Sequence, residues 1–130
     1  LPAALSLLDE AQARAQGKDL KPILSLHHLR GDILGRMERP REAEAELLEE
    51  IRLFPMNGDA YASLALLYGA EGRMAEARKT AARIAEQAVP TPAGYEATAR
   101  VLTILGDAPG AAAWRSRASS RFPKAGPREP

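Results

Sequence analysis

The sequence predicts an all-α fold built as a stack of antiparallel helix pairs, and three observations predict it. The chain aligns with itself at a shift of 34 residues. Within each period apolar residues recur at i, i+3, i+4 and i+7, the spacing of one helix face. Pro and Gly fall between those faces, where helices stop and turn. Composition agrees with this reading. Aromatics make up 5% of 130 residues, while Ala is abundant. Alanine is the best helix former and lets helices approach closely.

The register is carried by specific residues. Tyr61 falls on Tyr95, Gly72 on Gly106, and Ala43, Ala77 and Ala111 form a series. Phe54-Pro55 recurs two periods later as Phe122-Pro123. Small residues Gly31, Ala65 and Ala99 share a register, as do the large residues Leu34, Tyr68 and Leu102. Taken in chain order, Ala4, Leu5, Leu8, Ala11 and Ala15 mark one helix closed by Gly17, followed by a loop from Lys18 to Pro22. Residues 1–22 thus read as half a repeat. The first full unit, 24–57, has Leu26, Leu29, Ile33, Leu34 and Met37 on one face, then Ala43, Leu47, Leu48 and Ile51 up to Pro55. Pro40 sits in the first turn of its second helix, where a missing N–H costs nothing.

The second unit, 58–91, opens at Asp59 as N-cap. Its faces are Tyr61, Leu64, Ala65, Leu67 and Tyr68, then Ala77, Ala81 and Ile84, with Gly72 at the turn. The third, 92–125, uses Tyr95, Ala99, Val101, Leu102 and Leu105, turns at Gly106, and packs Ala111, Ala112 and Ala118. Gly31 with Ala43, and Ala65 with Ala77, are the expected close-approach pairs, where a larger side chain would push two helices apart. Residues 124–130 hold Pro and Gly densely and read as a frayed tail.

This pattern resembles the tetratricopeptide repeat (TPR) family, a 34-residue helix–turn–helix repeat. The middle unit, with Tyr61, Leu64, Ala65, Tyr68, Gly72 and Ala77, matches that signature best. Departures are His27 for an early aromatic, Glu38 for the turn Gly, and Arg115 for a core aliphatic. The resemblance covers about four fifths of the chain and implies a right-handed α-solenoid of about three repeats. It also implies a concave groove, lined by the first helix of each pair, that takes a peptide or partner helix. The groove positions would be His28, Asp32 and Arg36 from the first unit, with Ser25 ahead of them. The second unit would supply Asp59, Ala62, Ser63, Leu66 and Ala70, and the third Glu96 and Arg100, beside Ala97 and Ile104. The Asn and Lys residues with which one subclass clamps a C-terminal carboxylate are missing; His28, Asp32, Ser63, Ala93 and Ala97 stand there instead. An apolar middle of Ala62, Leu66 and Ala70 with charged ends suits an apolar ligand side chain.

Several function classes find no support. There is no cysteine, so disulfides, thiolate zinc sites and cysteine nucleophiles are excluded. His27 and His28, adjacent on a helix, point about 100° apart and do not suit one metal ion. No metal or other cofactor is expected. A net charge of +1 gives no general field for nucleic acid or membrane. No apolar run approaches the roughly 20 residues of a membrane span. No Ser–His–Asp arrangement, phosphate loop or dinucleotide fingerprint is present, so an enzyme is not expected. The Glu42, Glu44, Glu46, Glu49 and Glu50 run reads as a solvated outer face, opposed by a basic end at Arg115, Arg117, Arg121, Lys124 and Arg128. Trp114 aligns with the polar Glu46 and Thr80 and so faces solvent or caps the end of the stack.

The sequence therefore reads as a protein–protein interaction scaffold, the C-terminal part of a larger bacterial-type protein with a protein or peptide partner. The cytoplasm is favoured over the periplasm. The alternative is a homodimerisation domain acting through terminal helices, with Trp114, Leu5 and Leu8 as contact residues.

Overall fold

Proline at the start and a left-handed residue at the turn set the helix boundaries. Pro40, Pro92 and Pro109 each lie in the first turn of a helix, where the fixed φ suits the helix and no N–H is needed. The computed structural model describes residues 2–17 and 26–124, with side chains at 2–10, 27–28, 31–34 and 36–124. The loop expected at 18–22, the groove position Ser25 and the tail beyond Lys124 lie outside the described residues. So do the side chains of Ala11, Ala15, Leu26 and Leu29.

The chain is all-α, with no strand among the described residues. The helices are α1 (Pro2–Gly17), α2 (Leu26–Arg36), α3 (Pro40–Leu53), α4 (Gly58–Ala70), α5 (Met74–Ala85), α6 (Pro92–Ile104) and α7 (Ala108–Arg121). None of them is long and apolar enough to cross a membrane.

The helices pack in antiparallel pairs. In α2/α3, His27 meets Glu46 near one end, and the Arg39 N–H donates to the Leu34 carbonyl at the other. In α4/α5, Arg83 lies over the Tyr61 ring and Arg73 over the Tyr68 ring. In α6/α7, Tyr95 meets Phe122 while the Asp107 N–H donates to the Leu102 carbonyl. Consecutive pairs touch through α3 with α4 and α5 with α6, and the first helices also touch, α2 with α4 and α4 with α6. Among the described residues the first and third pairs do not meet.

Glu38 (φ 56°), Gly72 (φ 78°) and Gly106 (φ 84°) close the three turns in the left-handed region. Each is followed by a residue at the N-cap of the second helix. Arg39 and Arg73 there pair with Glu42 and Glu76 three residues on. At the third turn the Asp107 side chain instead accepts from the Gly110 N–H at 3.0 Å.

Small residues let the helices approach. A Cβ on Gly31 would stand 2.7 Å from Leu47 Cγ and 3.2 Å from the Ala43 carbonyl oxygen, so α2 and α3 are in contact at that level. Ala43, Ala65, Ala77 and Ala99 are fully buried. The core joins Leu47 and Ile51 of α3 to Tyr61, Leu64, Ala65 and Tyr68 of α4, then continues through Ala77, Ala81 and Ile84 to Val101, Leu102 and Ala111.

Among the described residues, two ion pairs fasten neighbouring pairs of helices. Arg73 reaches Glu44 of the pair before it, at 3.3 Å. Arg78 reaches Asp107 of the pair after it, at 3.1 Å. These positions match at the 34-residue shift with the charges exchanged: Glu44 corresponds to Arg78, and Arg73 to Asp107.

Candidate functional site

A cleft of about 280 Å³ opens between α2 and α4, lined by Gly31, Asp32, Arg36, Leu47, Ser63, Leu66 and Leu67. The glycine matters to its shape, because α2 lies close on α3 there and Leu47 reaches the cleft from behind. Leu66 and Leu67 are partly buried against the core and form an apolar floor. Asp32 and the exposed Arg36, four residues apart on one face of α2, form a charged rim.

A polar fastening lies beside this cleft. His28 Nε2 is 2.8 Å from Ser63 Oγ and 3.3 Å from Asp32 Oδ2. His27 Nδ1 is 2.5 Å from Glu46 Oε2. His27 is thus a half-buried polar residue holding α3 at the position where an aromatic was expected. The His28 backbone N–H donates to Glu50 Oε1 at 3.3 Å. Glu50 therefore caps the start of α2 from α3, where a carboxylate suits the N–H end of a helix. The outer-face reading of the Glu run is corrected here. Glu50 is fully buried, and its Oε2 has no hydrogen-bond partner among the described residues. Glu44 and Glu46 are half-buried and bonded to other helices. Ala43, Leu47, Glu50 and Ile51 form one inward stripe, so helical spacing alone would have turned Glu50 inward.

Of the anticipated groove residues, the cleft collects Asp32, Arg36, Ser63 and Leu66. His28 borders it but is committed to Ser63 and Asp32. Ala62 is half-buried against the core, and Ala70 is exposed at the end of α4. Asp59 lies elsewhere, lining an apolar pocket of about 550 Å³ together with Leu53 to Gly58. Glu96 is drawn to α7 by Arg115 at 3.2 Å. That guanidinium, hydrogen-bonded to the carboxylate, holds Glu96 below its ordinary pKa. Arg100 is exposed on α6. Glu96 and Arg115 thus form a cross-helix pair.

The residues expected at a self-contact are mostly covered. Trp114 is half-buried, edge-on to Tyr95 at 5.4 Å. Leu5 and Leu8 are half-buried, whereas Leu7 is 66% exposed. Among the described residues, no group of three or more His, Asp and Glu is placed to hold a metal ion. The arrangement can therefore receive an apolar side chain and orient it by one acidic and one basic rim group. Compared with known proteins, the chain matches no family model, no curated protein and no solved structure.

Proposed function

We propose that this chain is a TPR-type right-handed α-solenoid, part of a larger bacterial-type protein, and that it acts as a protein–protein interaction scaffold. The single observation that carries the binding role is the α2/α4 cleft, with its floor of Leu66 and Leu67 under a rim of Asp32 and Arg36. A pocket of that size takes one apolar side chain, and the two charges set the direction of the peptide that bears it. The repeat reading is supported by the left-handed turns at Glu38, Gly72 and Gly106 and by nearest-neighbour packing of the pairs.

The test is selection of a random peptide library displayed on phage against the chain. Selected peptides should share an apolar residue flanked by charge. Leu66→Arg should weaken their binding at least about tenfold, the scale of removing a buried anchor. The matched control is Leu48→Arg, on the exposed side of α3, which should leave binding unchanged. Peptides that bind both variants equally would remove the cleft from the account.

A second reading, homodimerisation through terminal helices, draws on the exposure of Leu7 beside Leu5 and Leu8 on α1. Light scattering decides it: a dimer converted to monomer by Leu7→Glu supports that reading, and a concentration-independent monomer removes it.

A further inference from the structure

We propose that the outer face of α7 is a second binding surface, one that takes an extended acidic peptide with carboxylates at alternate residues. Helix α7 carries Arg115, Arg117 and Arg121 and no acidic residue. Arg115 is paired with Glu96. Arg117 and Arg121 are exposed and meet no carboxylate among the described residues. Both are nonetheless held in place. The Arg117 guanidinium lies 4.7 Å from the Trp114 ring centre. The Arg121 guanidinium lies 5.9 Å from the Phe122 ring centre and donates to Tyr95 Oη at 3.3 Å. The rings are themselves fixed, since Tyr95 packs edge-on to Trp114 and to Phe122 at 5.4 and 5.3 Å. A guanidinium lying against an aromatic ring keeps N–H edges for an anion, and much of its ordering entropy is already lost.

Between the two arginines lies an open pocket of about 510 Å³ bounded by Tyr95, Ser116, Arg117, Ser120 and Arg121. Its lining supplies two cations and three hydroxyls.

Spacing selects the ligand. Four helical residues separate the two arginines by about 6 Å along the axis. Alternate residues of an extended peptide stand about 6.7 Å apart on one side, which matches the axial separation of the two arginines and gives each one a carboxylate for its remaining N–H groups. A concentrated dianion such as phosphate is favoured by backbone N–H groups at a helix start. Arg121 lies in the last turn of α7, at the carbonyl end, which favours single charges spread along a chain. Nucleic acid fits poorly, because the whole chain has a net charge of only +1 and α3 is acidic.

The experiment titrates the chain with a peptide alternating Glu and Ser, read by fluorescence of Trp114, the only Trp. Saturable binding with a shift in Trp114 emission is expected, weakening as NaCl rises from about 0.05 to about 0.3 M. A peptide of the same composition with its Glu residues in one block should bind less tightly. Arg117→Gln with Arg121→Gln should weaken binding about tenfold or more while the helical circular dichroism is unchanged. Arg117→Lys with Arg121→Lys keeps the charge but loses the forks and should fall between. Equal binding of the block peptide, undiminished binding by the Gln pair, or tighter binding of a single-stranded DNA of matched charge would each overturn the proposal. Because Leu66 lies outside this pocket, Leu66→Arg should leave the titration unaltered, so this surface and the cleft stand or fall separately.

Discussion

Tyr68 shows how one side chain couples two helix pairs to pH. Its hydroxyl donates to Glu44 on α3 at 2.8 Å, while its ring lies under Arg73. Burial pushes the Tyr68 hydroxyl up from 10.0 to about 12, and the Glu44 hydrogen bond adds to the shift. Between those values the unfolded chain has released a proton that the folded chain still holds. Stability therefore falls as pH rises through the window, and the contribution is complete below about pH 10. The thermal midpoint should drop across that range, and Tyr68→Phe should flatten the drop, since a ring without a hydroxyl has nothing to titrate. A slope as steep in the variant as in the parent would assign the effect to other groups. On the acid side, Glu49, Glu76 and Glu96 are held below the ordinary carboxylate range by hydrogen bonds from Arg52, Arg73 and Arg115. Their contribution is present at neutral pH and is lost as pH falls through the lowered values. These pairs are solvent-facing, so salt screens them and the acid limb should be shallow.

At the scale of the element, the turns carry the clearest test. Glu38, Gly72 and Gly106 occupy the same left-handed conformation, which costs an ordinary residue about 1–2 kcal/mol and glycine little. Part of that gain is offset because glycine loses more freedom on folding. Glu38→Gly should therefore raise the unfolding free energy by about 0.5–1 kcal/mol, and Gly106→Ala should lower it by a similar amount, both read from urea midpoints at constant m. No contact disturbs the glycine comparison, because a Cβ at Gly72 or Gly106 would meet nothing within 4 Å. These turns also mark how far the sequence could be read. Helix pairs were legible because apolar spacing and Pro and Gly punctuation are local signals. The partners of charged residues were not. Glu44 bonds across to Tyr68 and Arg73, and Glu96 to Arg115 on α7; such choices depend on where a second helix lands. Glu50 was hidden for another reason. A run of glutamates reads as surface by type, although its position three residues after Leu47 puts it on the buried stripe. Within the cleft, Leu66, Asp32 and Arg36 were among the positions that the repeat resemblance implied. Leu47 was not, because it enters only through the space left by Gly31.

Across the whole molecule, packing passes from each helix pair to the next. The middle pair meets both neighbouring pairs, whereas among the described residues the first and third pairs do not meet each other, and the first also touches α1. Tyr61, Leu64, Ala65, Tyr68, Ala77 and Ala81 of that middle pair are all at most 7% exposed. Amide hydrogen exchange should accordingly be slowest in α4 and α5 and faster toward α1 and α7, since protection follows buried contacts. Thr98 offers a way to test whether stability passes along the stack one joint at a time. It is fully buried on α6, and its hydroxyl donates to the Ala81 carbonyl on α5 at 2.9 Å. Gly94 lies at the same joint, where an added Cβ would stand 3.1 Å from the Ile84 carbonyl oxygen. Thr98→Val keeps the shape and removes the donor, a loss of about 0.5–1.5 kcal/mol for one hydrogen bond, since the Ala81 carbonyl keeps its partner within α5. In nearest-neighbour packing that loss loosens the third pair most. Exchange should quicken in α6 and α7 well before it does in α2 and α3, and the cooperative transition should broaden. A uniform acceleration across all the described helices would mean that the chain opens only as one unit, with the joints too strong to separate.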